Sequence, residues 1–535
     1  MFEAANRLGD MRGDLIGSMC AVTGKTVVEG DVEVSEGIDY ARFYTTTMKK
    51  FAALHDVDIT SKGTILVISP WNFPCAIPIG GIVAGLAGGN TVILKPATVA
   101  APVAWLFAKA FWDAGVPKEA LQVIITDREA LKELTTAPAI KHIILTGGTD
   151  TAQSIARTSP STPLSAETGG KNAIILTASG DRDHAIMNIV TSAFGNAGQK
   201  CSACSLLLVE RSVYEDKNFQ DKLKDAATSI KVGSVWEAGN VVGPMITNRN
   251  DKLLQALTLE PGESWLVPPK FIDEKQYILA PTVKWGVKPG SYSFRTELFG
   301  PMLSVACIDN LQQGIELVNS LDYGLTSGLQ SLDENEQKLW KDSILAGNLY
   351  INRGITGAIV NRQPFGGMKL SAFGGGVKAG GPNYCACLVK ITDKPESNTD
   401  YKQSYPHAYE EEFAHARDIN KLYGEQNAFR YLPLKNMVLR LFPGDSNEEA
   451  EMIALATKLC HTPLTISFDP NDDRTTALSS TGCTLKKETL DEFLKTMRSY
   501  ERIRTCGADI PMEMYEEAAR RNKYIATAKP VKNGR

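Results

Sequence analysis

The sequence predicts an α/β protein of two parallel-sheet domains followed by a third, smaller α/β module. Three observations predict it. Apolar runs of strand length alternate with stretches of helical spacing along most of the chain, the pattern of β-α-β units. Glycines and polar residues collect just after those runs, at the strand C-terminal ends where parallel sheets bind ligands. At 535 residues the chain is also too long for one ordinary core.

Taken in order, residues 3–20 place Leu8, Met11, Leu15 and Met19 at helical spacing. Gly24-Lys25-Thr26 imitates the end of a phosphate-binding loop. Gly17 stands too far before it, however, and no strand precedes it, so a turn between helices is the favoured reading. A second helix covers 36–49, with Ile38, Phe43 and Tyr44 inward. A buried strand at 63–70 runs into Trp71-Asn-Phe-Pro74, and a Gly/Ala-rich helix follows at 77–88. The strand 91–96 carries Lys95, and the helix 99–114 has Pro102 near its start. Further strands fall at 121–125, 140–145 and 164–167, the middle one followed by Thr146-Gly-Gly148 and a helix from Asp150.

The alternation resumes with strands at 173–176, 205–210, 302–308 and 348–352 and helices at 183–194, 214–230 and 312–320. Residues 363–382 are dense in glycine, which suits a linker or a substrate-contacting loop. The polar stretch 400–427 is expected to be a linker helix. Beyond it, strands at 437–442, 464–468, 503–505 and 523–528 alternate with helices at 447–459, 490–500 and 512–521. The order around 502–507 and 524–530 echoes that around 141–148 and 164–170. This suggests a decayed second copy of a dinucleotide-type fold, with Lys529 near the place of Glu167.

The expected boundaries are therefore 1–177, 178–365, a loop and oligomerisation strand at 366–399, the linker at 400–427, and 428–535.

Composition excludes several classes. A net charge of −4 without charge blocks argues against a nucleic-acid surface. No run of about 18 apolar residues suggests a transmembrane helix, and the first residues do not resemble a signal peptide. Ten cysteines without framework spacing point to reduced thiols and a cytoplasmic setting. Cys201-Ser-Ala-Cys204 has no second pair, so no metal site is expected.

The chemistry concentrates in two segments, 194–204 around Cys201 and 167–172 beginning with Glu167. A thiol and a carboxylate in glycine-bearing segments suggest a nucleophile and a base brought together by folding. Bland readings exist for each residue taken singly: Asn72 as a helix cap, Glu167 as an ion-pair partner, Cys201 as a small core residue. Cys204 is expected to be a packing residue and Lys200 to face outward.

Five motifs carry a family resemblance: Pro70-Trp-Asn-Phe-Pro74, Lys95-Pro-Ala97, Glu167-Thr-Gly-Gly170, Gly198-Gln-Lys-Cys201 and Glu297-Leu-Phe-Gly-Pro301. In order and spacing they resemble the NAD(P)-dependent aldehyde dehydrogenases over roughly 10–395. The resemblance implies a Rossmann-like NAD-binding domain, an α/β catalytic domain and a degenerate α/β extension. Residues 33–44, Gln363-Pro-Phe-Gly-Gly and Lys378-Ala-Gly-Gly-Pro382 resemble the pyrroline-5-carboxylate (glutamate semialdehyde) dehydrogenase branch. The closest pattern is that of the bifunctional proline-utilisation enzymes.

The implied reaction is oxidation of glutamate γ-semialdehyde to glutamate in proline catabolism. Cys201 would attack as thiolate. Asn72 and the Cys201 N–H would hold the oxyanion, and Glu167 would activate the hydrolytic water. For the cofactor, the resemblance implies Ser69, Pro70, Trp71, Lys95, Thr98, Gly147, Gly148, Glu297 and Phe299. NAD is expected. Thr98 stands where many NAD-preferring relatives have a glutamate, which leaves NADP admissible. For the substrate carboxylate it implies Ser202 with a backbone-lined loop at Ser371 and Ala372.

A homo-dimer or larger homo-oligomer is implied through the tail after about 385. The resembling enzymes extend beyond both ends of this chain, so a fragment of a longer proline-utilisation polypeptide is expected. Two other readings stand beside this one: a dehydrogenase for another small carboxylated aldehyde, and a catalytically silent scaffold.

Overall fold

In the computed structural model, residues 1–247, 250–275, 277–507 and 509–534 are described. The run Thr64–Ile68 is apolar on both faces because both faces are covered. Ile65 and Val67 pack with Ile79, Val83, Phe107 and Phe111 on one side. Leu66 and Ile68 pack with Ile143, Leu145 and Ile155 on the other. This strand is central in a sheet ordered Leu121–Val123, Thr91–Lys95, Thr64–Ile68, Ile140–Thr146, Leu164–Glu167, Ala372–Phe373. All are parallel except the last, which runs antiparallel with Ala372 opposite Glu167.

A second sheet has the order Asn348–Ile351, Thr326–Gln330, Asn172–Leu176, Cys204–Glu210, Met302–Ile308, Thr282–Trp285, Ser264–Val267. Only Ser264–Val267 is antiparallel. Its two faces are again both buried, one under Phe194 and Phe219, the other under Ile315 and Trp340.

The third sheet, Thr484–Lys487, Leu464–Phe468, Met437–Arg440, Arg502–Arg504, Ile525–Ala526, is wholly parallel. Its chain order, third-second-first-fourth-fifth, is that of the parallel strands in the first sheet, which accounts for the echo in the sequence.

Some expected bounds differ. The first helix is two, Phe2–Asp10 and Arg12–Thr23, with Met11 between. The next begins nine residues before position 36, at Val27, and ends at Ala52, because Thr26 caps it. A boundary at 177 would leave Asn172–Leu176 with the first domain, yet this strand is hydrogen-bonded on both sides within the second sheet. The linker helix is short, Tyr401–Ala408 followed by the π-turn Tyr409–Phe413. Pro406 lies inside it and supplies no N–H to prolong the ladder. Val389–Asp393 pairs within the chain, with Val57–Ser61, as a two-stranded arm. No helix among the described residues is long and apolar enough to cross a membrane.

Candidate active site

Cys201 follows a run of three left-handed residues, Asn196, Ala197 and Gly198 (φ 53°, 54° and 68°). A side chain at Gly198 would meet the Gly300 carbonyl oxygen at 2.2 Å, so this turn requires glycine on both counts. Asn172 then clamps the loop. Its Nδ2 donates to the carbonyls of Cys201 (2.7 Å) and Ala203 (3.0 Å), and its Oδ1 accepts from the Thr326 N–H (3.0 Å). Burial pushes the Cys201 thiol up to about 12, reinforced by the carboxylates of Glu167 and Glu297. The thiol is therefore held neutral at rest and needs a proton acceptor when it reacts. Cys204 is buried with its S–H on the Leu206 carbonyl, so the C-x-x-C spacing is incidental.

Asn72 is buried in the turn after Thr64–Ile68. Its Nδ2 donates to the Gln199 carbonyl at 2.9 Å, two residues before Cys201. One amide hydrogen is thus fixed, which orients the other. Glu167 ends its strand beside the same loop. Burial raises its carboxyl to about 8 against the opposing charge of Lys378. Its Oε2 is buried with no hydrogen-bond partner among the described residues, the arrangement of a carboxylate kept for a transferable proton. Lys378 reaches Gly347 O and Asn348 Oδ1. Its amine is pushed down to about 8 by burial, with Glu167 resisting. It also lines a cavity of about 2050 Å³ that extends to Arg502 and Tyr524 of the third sheet's domain.

Of the residues expected at a cofactor, Ser69–Trp71, Lys95, Thr98, Gly147 and Gly148 lie at the C-terminal edge of the first sheet, and Glu297 and Phe299 precede the strand Met302–Ile308 of the second. The strand order reverses between Thr64–Ile68 and Ile140–Thr146, and Ser69–Trp71 and Gly147–Gly148 follow these two strands. The Ser69 hydroxyl is buried without a hydrogen-bond partner among the described residues. Gly148 precedes the helix Thr149–Thr158. Lys95 closes its strand half-buried, its amine lowered by desolvation, and Thr98 is exposed at the start of a 3-10 turn. Glu297 accepts from the Gly170 N–H (2.8 Å) and lies against Gly169, where any Cβ would come within 2.3 Å of its carboxylate. Phe299, at φ 53°, stands edge-on to Trp71 at 5.7 Å. An unpartnered hydroxyl, a helix N-terminus and two glycines at the switch point fit a dinucleotide.

The substrate residues divide. Ser202 is buried directly after Cys201. Ser371 does not fit the expected role. It is fully buried, donating to the Gly169 carbonyl (2.8 Å) and accepting from the Gly324 N–H (3.1 Å). Ala372 is committed to the sheet beside Glu167. The Ser371 N–H is spent on the Met368 carbonyl (3.1 Å), so Ser371 keeps no donor for a substrate carboxylate and serves as a strut behind the Glu167 segment.

Lys200 was expected outward, yet its side chain is only 10% exposed and pairs with Glu29 at 2.7 Å. Glu29, Glu33 and Glu36 stand at i, i+4 and i+7 of the helix Val27–Ala52. That acidic stripe was the available signal. Burial lifts the Glu36 carboxyl to about 8, with the Glu33 charge adding.

Comparisons with known proteins agree with this geometry. Residues 1–392 match the profile of the aldehyde dehydrogenase family. The chain is 33% identical to a 1-pyrroline-5-carboxylate dehydrogenase of a Geobacillus species over 407 residues, 72% of this chain and 78% of that enzyme. The proline utilization A (PutA) structure from Corynebacterium freiburgense covers 100% of the chain with a TM-score of 0.87 and 37% identity. The chain spans only 55% of that protein's length. A 1-pyrroline-5-carboxylate dehydrogenase from Thermus with bound NAD covers 73% of the chain and 79% of its own, with a TM-score of 0.69 and 32% identity. With its fold, its motifs and these likenesses in accord, the chain belongs to the aldehyde dehydrogenase family.

Proposed function

We propose that the chain oxidises L-glutamate γ-semialdehyde, the open form of pyrroline-5-carboxylate, to L-glutamate with NAD as cofactor. The observation that carries the hydrolytic part is the Glu167 oxygen buried without a hydrogen-bond partner among the described residues, on a carboxylate that pushes the Cys201 thiol up. The curated relatives, named for this reaction, support the substrate.

Cys201 adds its sulfur to the aldehyde carbon, and the thiol proton passes to bulk solvent. The free amide hydrogen of Asn72 and the Cys201 N–H stabilise the oxyanion of the thiohemiacetal. NAD, when bound at Ser69–Trp71, Lys95, Thr98, Gly147–Gly148, Glu297 and Phe299, supplies the acceptor for the hydride. Glu167 then takes a proton from water as the oxygen attacks the Cys201 thioester, releasing the acid and regenerating the thiol. The Ser202 hydroxyl is the group we assign to the substrate carboxylate. The likeness to PutA supports a place within a longer proline-utilisation polypeptide. The Val57–Ser61 and Val389–Asp393 arm is the element through which we expect a homo-oligomer. Ten free cysteines suit the cytoplasm.

Asn72→Ala is expected to lower kcat about 10²- to 10³-fold, roughly 2.7–4 kcal/mol of barrier, with the KM for NAD unchanged. Steady-state NADH absorbance measures it, and a loss confined to KM would remove Asn72 from the oxyanion site. A panel of aldehydes read the same way tests the substrate. The semialdehyde should show the highest kcat/KM. Preference for another carboxylated aldehyde would replace it, and inertness towards all of them with NAD still bound would make the chain a scaffold.

A further inference from the structure

Gly24-Lys25-Thr26 has no place in the reaction just described, yet its lysine is 1% exposed. A lysine is almost never so buried without a partner. Lys25 Nζ lies 2.6 Å from Glu33 Oε2, and Glu33 is equally buried. The ammonium also stands 3.9 Å from the centre of the Phe73 ring. The second oxygen, Glu33 Oε1, accepts from the N–H groups of Cys75 (2.7 Å) and Ala76 (3.1 Å). These are donors at the start of the helix Ala76–Ala87, where a carboxylate is favoured. The ion pair therefore grips the chain at Phe73, Cys75 and Ala76, and Asn72 is the residue next to that grip.

The same helix holds the opposite wall. Glu29, one turn before Glu33, pairs with Lys200 at 2.7 Å, and Lys200 precedes Cys201. Between the two grips runs the bond from Asn72 Nδ2 to the Gln199 carbonyl at 2.9 Å. One rigid helix thus sets the separation of the amide and the thiol. A small error in such a separation can cost about 10²-fold in rate.

We propose that Glu33, held by Lys25, is a positioning residue that aims the Asn72 amide at the oxyanion. The inference rests on Asn72 serving that oxyanion. Glu33 touches neither substrate nor cofactor and acts only through the 72–76 backbone.

A double-mutant cycle tests it. Lys25→Met/Glu33→Ala removes both charges, so neither is left buried and unpaired, and it deletes the acceptor for the Cys75 and Ala76 N–H groups. Its kcat should fall about 10- to 100-fold with the KM for NAD unchanged. Lys25→Met/Glu33→Gln, equally neutral but with an acceptor oxygen, should recover part of that loss. In the Asn72→Ala background neither pair should slow the enzyme further.

Losses that multiply with Asn72→Ala would mean general structural damage and would overturn the proposal. So would a Glu33→Ala pair as fast as the parent. Should that pair fail to fold, the Glu33→Gln pair runs the same cycle. A null effect of Asn72→Ala alone would instead fault the oxyanion reading, so the two failures are told apart.

Discussion

Replacing Cys201 by alanine should reduce aldehyde oxidation about 10⁴-fold or more, roughly 5–6 kcal/mol of barrier. The loss is this large because no neighbouring thiol can substitute. Cys204 is buried and committed to the Leu206 carbonyl, on the strand side of the loop. Cys75 is buried under the helix Val27–Ala52, its thiol raised far above the ordinary range by desolvation. NAD binding should survive, since the groups assigned to it sit on the first sheet and around Glu297. Stopped-flow NADH absorbance is the measurement: the variant should show neither a burst nor a steady state. A residual rate within tenfold of the parent would remove Cys201 from the chemistry.

Replacing Glu167 by glutamine should separate the two halves of the reaction. The thioester still forms, so one equivalent of NADH per site should appear as a burst. Turnover should then fall about 10²- to 10⁴-fold, the usual contribution of a general base. A steady-state rate equal to the parent's would assign the hydrolytic base elsewhere.

The pH dependence has a definite sign. Glu167 is raised from the ordinary carboxylate value to about 8. Its base form therefore accumulates only as pH climbs through that region, and the hydrolytic limb should rise towards an alkaline plateau. Folding stability runs the other way. A raised carboxyl contributes stability that is complete below the unfolded value near 4.5 and is lost as pH rises through about 8. Glu167→Gln should therefore gain most in Tm over the parent at pH 9, less at pH 6, and little at pH 4, below the unfolded carboxyl value. Lys378 tempers the cost of the charge, so Lys378→Met should move the hydrolytic limb still further alkaline.

Much of this molecule was legible before any coordinate. The continuous apolar runs at 65–68 and 173–176 mark strands covered on both faces. The glycine-bearing segments that hold Cys201 and Glu167 stood out, and their Gly198 and Gly169 lie against Gly300 and Glu297. The echo between 502–530 and 141–170 announced a sheet of the same strand order. These signals are local: a periodicity, a turn residue or a short motif survives in the order of residues.

What escaped the sequence depends on which distant groups share one buried space. Ser371 looked like part of a backbone-lined carboxylate loop, yet its N–H is spent on the Met368 carbonyl and its hydroxyl lies between Gly169 and Gly324. Lys200 looked solvated until the helix Val27–Ala52 laid Glu29 across it. Nothing near Gly24-Lys25-Thr26 names Cys75 or Ala76, yet packing brings Glu33 to both. The alternation of residues by itself determined the α/β elements, the strand faces and the segments that carry the thiol, amide and carboxylate. Only the tertiary structure decided which charges face each other. Desolvation and Coulomb attraction act on distance in space, and neither leaves a period in the chain.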